Sequence, residues 1–462
     1  KSGPILIEGS ATASNANGVS FNRRSVNVNY DYTYLGSAPG VSVTPFGGTA
    51  VAMTSSTSDI TISADKILGA TTSSALTYIN TSGAVKIQPL TNNFGTTLDN
   101  NGISIASTAS SVTFGKDGNT GPVTVNRSLT AASISVRGGV VVLNQVLTTN
   151  ANQTRAGPVS ITATTSLTNS LYGMVNTTGS NSDITIVTDT ISVGANYTAG
   201  SGAIEISPYT ASRAIRIGSL TAGYLSLDQQ ANTYLLAANL RIGSSAAATA
   251  GPVSFSGTFN RATTGRNTLR IFTAGAVTQT APVTVTNLAI DTDSTINLPL
   301  ANEVTNLALD SSQAGTSAIT YAAKTGTTYT PATVDGVTPK FGTAAGVGLT
   351  NVPTSSVATT IYQNVNISPN PIAKIVDLYG IPLALQNTLA NGYKITASVE
   401  SGTGVNLGGT TEVTASGASA TFNAAKVTSG LGATTLRFTA AALTGTPALA
   451  GDTFSVTGQY NI

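Results

Sequence analysis

SDITI at residues 58–62 returns as SDITI at residues 182–186, at an offset of 182 − 58 = 124 residues. A second stretch, SGAVKIQP at 82–89, returns as SGAIEISP at 201–208, at an offset of 201 − 82 = 119 residues. The two stretches keep their order along the chain, so the sequence indicates an internal duplication with small insertions. Duplication on this scale is typical of extended, modular proteins.

The duplicated stretches belong to a wider pattern in which apolar residues alternate with small hydroxyl residues. The pattern is clearest in VTV at 123–125, ISV at 134–136, VSITA at 159–163, ITI at 184–186 and VTV at 283–285. A period of two predicts β-strands with one buried face. Glycine, asparagine, serine and aspartate cluster between these segments, where they favour turns. We therefore predict an all-β protein.

The spacing of the predicted strands bears on how they are arranged. Short strands recur about every 9–12 residues, which suits either β-sandwiches or a solenoid. The long module, with few charges and few aromatic residues, favours a right-handed parallel β-helix (a β-solenoid) with roughly 20–25 residues per coil. We predict this solenoid over residues 1–341, with module copies at about 58–157 and 182–290.

The composition changes near residue 342. A stretch rich in glycine, alanine, threonine and serine predicts a linker over residues 342–364. Roughly seven short strands follow within about 100 residues, which is typical of an immunoglobulin-like β-sandwich. We predict this domain over residues 365–462, held by apolar packing alone because the chain has no cysteine.

The composition also argues against several classes of function. The 462 residues include no histidine and no cysteine, which removes the usual acid–base catalyst, the commonest metal ligand and thiolate chemistry. Charged residues make up 9% of the chain, against a typical value of about 25%. The net charge is only +2 and basic residues do not cluster, so we do not expect nucleic acid as a partner. No apolar run reaches the ~18 residues of a membrane-spanning helix, so we predict no membrane-spanning segment.

The first two thirds of the chain resemble a known class of bacterial exoprotein. The similar runs are SGAVKIQPLTNN at 82–93, SVTFGKDGNTGPVTV at 111–125, SGAIEISPYTASRAIRIGS at 201–219, LRIGSSAAATAGPVSF at 240–255 and the stretch 273–310. Over about residues 55–325 the chain resembles exoproteins of the filamentous haemagglutinin type. This resemblance implies a β-helical adhesin or surface fibre that is exported across a bacterial outer membrane.

The last part of the chain resembles a different family. IVDLYGIP at 375–382, the long stretch 395–422 and TTLRFTAAALTG at 434–445 are similar to the bacterial immunoglobulin-like domains of invasin and intimin. In proteins of that kind the domain is usually a spacer or a tip. The resemblance therefore implies a C-terminal immunoglobulin-like domain with no catalytic role.

Asp291 and Asp293 are the best candidates for acid–base chemistry. At positions i and i+2 of a strand their Cα atoms would lie about 6.5–7 Å apart, near the carboxylate separation of inverting glycosidases. β-Helical polysaccharide hydrolases also use paired aspartates, but with further acidic, basic and histidine residues that do not cluster here. We interpret Asp291 and Asp293 as turn or surface residues.

Residues 116–119 are a candidate calcium loop, but they have too few acidic neighbours for one. We interpret them as a polar turn. We therefore predict no catalytic, cofactor or metal site.

Three tyrosines in one segment are candidates for contact with a ligand or another subunit. Tyr30, Tyr32 and Tyr34 share one face of a predicted strand. Tyrosine presents a flat apolar ring with a polar tip. This face therefore either packs on neighbouring structure or binds a sugar or a second subunit.

Ile5, Leu6 and Ile7 are candidates for contact between subunits. They lie in GPILI at residues 3–7, which matches GPVSI at residues 157–161 and so falls inside the repeat pattern. A solenoid end without a polar cap exposes unpaired backbone groups. We expect either further repeats upstream or pairing of these residues with the sheet edge of another chain by strand addition.

Together these observations predict a non-enzymatic, extracellular structural or adhesive protein of a bacterial cell surface. It would form a stalk, a fibre or a surface-layer subunit that self-assembles, without cofactors. Its partners would be copies of itself, or surface glycans of a host or of the environment. The alternatives are a β-helical polysaccharide hydrolase built around the aspartate pair, and an ice- or glycan-binding solenoid that uses outward threonine and tyrosine ladders.

Overall fold

The structure is a computed structural model. It describes residues 59–64, 77–89, 98–100, 103–149, 158–179, 181–243, 250–263, 265–350, 359–384, 386–388 and 393–442, and the backbone of strands at 5–9, 19–20, 41–46, 50–55, 67–68 and 453–461. The described part of the chain is 56% strand and 2% helix, and most of its strands belong to a large parallel sheet. The prediction of an all-β protein is therefore confirmed.

The chain divides into two compact units, Lys1–Gly275 and Ala276–Ile462. The described strands of the first unit are β1 (Ile5–Gly9), β2 (Val19–Ser20), β3 (Val41–Phe46), β4 (Ala50–Ser55), β5 (Ile60–Ala64), β6 (Ile67–Leu68), β7 (Thr77–Asn80), β8 (Ala84–Gln88), β9 (Leu98–Asp99), β10 (Ile103–Ile105), β11 (Ser111–Phe114), β12 (Val123–Val125), β13 (Leu129–Ala131), β14 (Ile134–Leu143), β15 (Leu147–Thr149), β16 (Val159–Asn169), β17 (Val175–Asn176), β18 (Ile184–Thr188), β19 (Ile191–Val193), β20 (Tyr197–Ser207), β21 (Ile215–Ile217), β22 (Leu225–Leu227), β23 (Leu235–Gly243), β24 (Val253–Phe255), β25 (Asn260–Arg261) and β26 (Thr268–Thr273). A short helix, α1 (Gln229–Tyr234), lies between β22 and β23.

The described strands of the second unit range in length from two to 16 residues. They are β27 (Val277–Gln279), β28 (Thr284–Thr292), β29 (Ile296–Ser311), β30 (Ile319–Ala323), β31 (Thr330–Pro331), β32 (Gly346–Thr350), β33 (Thr359–Thr360), β34 (Ile372–Val376), β35 (Tyr393–Ser401), β36 (Asn406–Gly408), β37 (Glu412–Thr414), β38 (Ser419–Thr421), β39 (Lys426–Ser429), β40 (Ala433–Ala442) and β41 (Thr453–Asn461). No described helix in either unit is long and apolar enough to cross a membrane.

In the first unit, strands of the main stack pair in parallel with strands that lie 20 to 36 residues earlier in the chain. The aligned core positions are Ile60, Val85, Val112, Ile134, Val159, Ile184, Ile204, Leu240 and Leu269. Neighbouring positions are separated by between 204 − 184 = 20 and 240 − 204 = 36 residues. All nine side chains are buried, so stacked aliphatic residues form one continuous core.

The two copies of the duplicated stretch have equivalent environments. The Asp59 carboxylate accepts a hydrogen bond from the Ala84 amide at 2.7 Å, and the Asp183 carboxylate accepts one from the Ala203 amide at 2.7 Å. The aliphatic residues predicted to be buried in both copies are Ile60, Ile62, Val85, Ile87, Ile184, Ile186, Ile204 and Ile206, and all eight are buried. The burial prediction is confirmed, while the outer limits of the module copies stay a prediction.

The longest segment between two aligned core positions of the first unit runs from Ile204 to Leu240 and contains α1. A buried arginine from the following segment, Arg261, forms hydrogen bonds to it. The side chain of Arg261 is 1% exposed. It donates hydrogen bonds to the side-chain oxygen of Asn232 at 2.9 Å, to the carbonyl of Leu235 at 3.1 Å and to the carbonyl of Ala237. Asp228 caps the helix by accepting from the Ala231 amide at 2.7 Å. Arg261 thus satisfies carbonyl groups where the helix interrupts the regular strand pairing.

The second unit begins with parallel pairing of the same kind. β28 and β29 pair in parallel, so that Leu288 aligns with Leu307 and Ile290 with Leu309, at an offset of 307 − 288 = 19 residues. These four side chains are buried. Parallel pairing then continues from β29 to β30 and β31.

The rest of the second unit, residues 346–461, pairs mainly in the antiparallel sense. Its sheets have the strand orders β32-β34-β38, β33-β41-β40-β35-β37 and β36-β39. The first two share one apolar core, in which the rings of Phe422 and Phe438 lie 5.2 Å apart in an edge-on arrangement. Val347 of β32 belongs to this core, within the segment predicted to be a linker. The predicted limits of the linker and of the two domains stay predictions.

Candidate functional site

The segment predicted to join subunits is described through its backbone. β1 pairs in parallel with β5, so that Ile5 aligns with Ile60, Leu6 with Thr61 and Ile7 with Ile62. The side chains of Ile5, Leu6 and Ile7 lie outside the described residues, and so do Tyr30, Tyr32 and Tyr34 in full. A role for these six residues in subunit or ligand contact stays a prediction.

The candidate aspartate pair lies at the end of a strand. Asp291 is the penultimate residue of β28 and aligns with Asp310 of β29, whereas Asp293 follows the strand and is exposed. The carbonyl of Asp293 accepts a hydrogen bond from the Gln313 side chain at 2.9 Å. Asp310 forms an ion pair with Lys340 at 2.7 Å. These positions are consistent with surface and turn roles, since Asp293 contributes its backbone to a neighbouring turn.

The candidate calcium turn is held by protein groups. The Asn119 side chain is buried, donates to the carbonyl of Arg137 at 2.8 Å and accepts from the Gly121 amide at 3.0 Å. Asp117 forms an ion pair with the Arg137 guanidinium. Among the residues that the structure describes, no group of three or more acidic side chains could hold a metal ion.

The outward positions of the first unit form rows of small polar side chains. Because parallel pairing is in register, Thr113, Ser135, Ser160 and Thr185 follow one another across four strands. Two further rows run Thr124, Val142, Thr168, Ser192 and Thr130, Thr148, Asn176, Thr198. Aligned hydroxyl side chains support lateral pairing of the strands. The first row continues into charged side chains at both ends, with Lys86 aligned to Thr113 and Glu205 aligned to Thr185. The middle of this outward face is therefore a short run of hydroxyl side chains between charged positions.

In the second unit, a turn of the antiparallel part closes the edge of β29. The Tyr379 hydroxyl accepts a hydrogen bond from the Ser311 amide at 2.8 Å and donates one to the Ser311 carbonyl at 3.0 Å. Along the same edge, the amides of Lys340 and Phe341 donate to the carbonyl of Leu309 at 3.1 and 3.2 Å. An uncovered strand edge is a template for pairing with another chain. This contact therefore removes one such edge from the surface.

Asp377 fixes the turn that carries Tyr379. Its buried carboxylate accepts hydrogen bonds from the amides of Gly342 at 3.0 Å, Tyr379 at 2.9 Å and Ile381 at 3.1 Å. Burial raises the pKa of the Asp377 carboxyl, and these three hydrogen bonds oppose the change. Burial also raises the pKa of the Tyr379 phenol to about 12. Both groups are structural, since each is committed to backbone partners.

Aromatic rings and an amide complete this junction. The rings of Tyr321, Tyr329 and Phe341 lie within 5.3 to 6.4 Å of one another. The Asn387 side chain donates to the carbonyl of Gly342 at 2.5 Å, and the Tyr329 carbonyl accepts from the Thr388 amide at 3.1 Å. The three rings pack on one another before residue 346, and hydrogen bonds from Asn387 and Thr388 join this cluster to the antiparallel part of the second unit.

A second surface in the antiparallel part combines exposed apolar side chains with neutral polar groups. Tyr362, Val365 and Leu431 are 71%, 54% and 75% exposed. They lie in two loops that the Gln363 side chain joins by donating to the carbonyl of Gly430 at 2.6 Å. We call this region, formed by residues 361–366, 402–406 and 428–432, the loop patch.

The comparisons with known proteins leave the resemblances untested. No family model matches the chain, and neither curated proteins nor solved structures give a match. The likeness to filamentous haemagglutinin-type exoproteins and to invasin-type domains therefore stays a prediction.

Sequence reasoning missed the residues that close the β29 edge. In the sequence, Asp377 and Tyr379 stand out only as part of the stretch that resembles immunoglobulin-like domains. Their local signal is Asp-Leu-Tyr-Gly, a turn whose aspartate can accept hydrogen bonds from following amides. The partner of Tyr379 lies 379 − 311 = 68 residues earlier, so no local pattern reveals it.

Proposed function

We propose that this chain is a non-enzymatic, extracellular structural or adhesive protein of a bacterial cell surface. Its parallel region would be a right-handed β-helix that serves as a stalk, and residues 365–462 would form an immunoglobulin-like domain. The protein would act through length, rigidity and a repeated surface.

The stacked core of the first unit carries this proposal. Nine in-register aliphatic positions are all buried, although the spacing between them varies from 20 to 36 residues. Eight steps of about 4.8 Å correspond to roughly 40 Å of continuous, hydrogen-bonded stack. Such an arrangement makes a stiff element without disulfides or metals, which suits a chain that has no cysteine and no histidine.

The roles of the buried charged and polar groups support the same proposal. Arg261, Asp377 and Tyr379 all bind backbone groups at places where regular pairing stops. Catalytic sites hold such groups with unused bonding capacity toward a cleft. Here these three side chains are hydrogen-bonded to backbone groups of the protein itself.

The proposal is tested by locating the protein on the cells that produce it. Antibodies raised against the purified chain would be applied to intact and to permeabilised cells, followed by gold labelling and electron microscopy. We expect label on the outer surface of intact cells. Label that appears only after permeabilisation would contradict the proposal.

A further inference from the structure

The loop patch is held in place by buried anchors, so the exposure of its apolar side chains is built into the fold. Ile361 and Val405 are buried next to the exposed loop positions. The Asn364 amide donates to the carbonyl of Val427 at 2.7 Å, which fixes the turn between Tyr362 and Val365. These contacts hold the tyrosine ring outward.

The loops of the patch are also tied to one another. The Asn406 side chain donates to the Ser429 hydroxyl at 2.7 Å, and this hydroxyl donates to the carbonyl of Gly404 at 3.0 Å. Gly430 has a φ of +108°, and a Cβ at this position would lie 2.5 Å from a side-chain carbon of Val405. Glycine is therefore required for the close approach that brings Leu431 beside the other loops.

The loops of the patch carry no ionic side chain in their own sequence. Residues 361–370, 401–411 and 427–436 contain no aspartate, glutamate, lysine or arginine. Charged residues border the patch, since Lys426 forms a β-bridge with Asn366 and Glu400 forms an ion pair with Arg437. The loops themselves therefore favour a neutral ligand, with an apolar surface for Tyr362 and Leu431 and with hydrogen-bonding groups for the surrounding amides.

We infer that the loop patch is a binding site for a neutral saccharide. A pyranose offers a flat C–H face that packs on an aromatic ring, and its hydroxyl groups pair with amide side chains. Tyr362 supplies the ring, and Gln363, Asn364 and Asn406 are exposed amides in the same loops. The inference rests on the proposed surface function for its biological role, since it gives an adhesive protein its ligand.

A second copy of the chain fits the patch less well. Stable protein interfaces use about 20–30 residues on each side. The patch offers three large apolar side chains on short loops, which is the scale of a sugar ring or two. We therefore assign the patch to a saccharide and treat self-contact as an outcome of the test.

The test is binding of the purified full-length chain to an array of immobilised oligosaccharides. The array carries neutral gluco-, galacto- and manno-configured chains together with sialylated and sulfated chains. The variants are Tyr362→Ala, Tyr362→Phe and, as a matched control, Tyr172→Ala, which removes a tyrosine that is 66% exposed in the first unit. Unfolding midpoints and sedimentation are recorded for every variant.

We expect the unaltered chain to bind at least one class of neutral oligosaccharide. Tyr362→Ala should weaken this binding by about tenfold or more, while Tyr362→Phe and Tyr172→Ala stay within about threefold. The inference is overturned if the chain binds no neutral oligosaccharide, if it binds acidic chains alone, or if Tyr362→Ala binds like the unaltered chain. It is also overturned if Tyr362→Ala changes only the sedimentation of the protein. Surface labelling of cells is a separate measurement, so failure here leaves the proposed location standing, and the reverse also holds.

Discussion

At the residue scale, three buried side chains complete backbone hydrogen bonding near the ends of strands. Arg261 satisfies carbonyl groups beside α1, and Asp377 holds the turn that presents Tyr379 to the edge of β29. A buried backbone group without a partner costs about 1–3 kcal/mol. These few hydrogen-bonding side chains therefore contribute strongly to the free energy of unfolding.

Tyr379→Phe tests the closure of the β29 edge. The substitution keeps the ring but removes the hydroxyl that pairs with the Ser311 amide and carbonyl. We expect the free energy of unfolding of the second unit to fall by about 1–3 kcal/mol in urea denaturation. Tyr362→Phe is the control, because that hydroxyl is on an exposed ring, and its effect should stay within about 0.5 kcal/mol. Equal effects of the two substitutions would contradict the assigned role of Tyr379.

The pH dependence of stability should reflect buried tyrosines. Burial raises the pKa of Tyr379 to about 12, and it also raises the pKa values of Tyr197, Tyr321 and Tyr329. Their ordinary pKa is about 10, so the folded state holds these protons more tightly than the unfolded state. The stability that they contribute is complete below pH 10 and is lost as the pH rises toward 12.

The absence of histidine sharpens this expectation. The chain has no histidine, the side chain whose ordinary pKa lies between pH 5 and 8, so the unfolding midpoint should change little over that range. Thermal unfolding at several pH values measures the profile, and Tyr379→Phe should reduce the loss above pH 10. A steep change near pH 6 to 7 would contradict this account.

At the element scale, alternation of apolar and hydroxyl residues predicts the strands, because one face of each strand is buried. The pattern places Ile184 and Ile186 inside and Thr185 outside, as the structure shows. Alternation alone does not distinguish a β-sandwich from a β-solenoid, because each strand pairs with residues that lie far away in the sequence. The insertion of α1 was not predicted, because its six residues carry no strong helical period.

Ile186→Ala tests the stacked core. The side chain is fully buried and aligned with Ile161 and Ile206 of the adjacent repeats. Truncation leaves a cavity, so we expect the first unit to lose about 2–5 kcal/mol of unfolding free energy. Thr185→Ala, at the adjacent outward position, should cost less than about 1 kcal/mol. A larger loss for Thr185→Ala than for Ile186→Ala would reverse the assignment of inner and outer faces.

At the scale of the whole molecule, each unit consists of parallel strand stacks or antiparallel sheets around aliphatic cores. The sequence predicted the all-β class, because apolar residues alternate with hydroxyl residues as they do in strands with one buried face. It did not predict how the parallel and antiparallel parts of the second unit join. That junction depends on contacts between residues far apart in the sequence, such as Tyr379 with Ser311 and Asn387 with Gly342.

The account predicts no hydrolase activity. Asp291→Asn together with Asp293→Asn should leave the release of reducing sugar unchanged, because the two residues are assigned surface and turn roles and Asp293 is exposed. Release of reducing sugar from bacterial and host polysaccharides is the measurement. Turnover by the unaltered chain that disappears in the double variant would favour the hydrolase alternative.

Assembly through the first strand is tested by deleting residues 1–10, which removes β1. We expect the full chain to form species larger than a monomer, and the deletion to reduce their mass in sedimentation velocity experiments. Strand addition at a sheet edge depends on backbone hydrogen bonds, so removal of the strand removes the interaction. Monodisperse monomers both before and after the deletion would refute assembly through this segment.

The most direct test of the central claim is cryo-electron microscopy of the protein purified from the cells that make it. The account predicts a map in which the strands of the first unit stack in parallel at a spacing of about 4.8 Å, with Ile60, Val85 and Val112 aligned in one buried row. A map in which residues 60–269 form separate antiparallel sandwiches would contradict the stacked core, and with it the proposal of a stiff structural stalk.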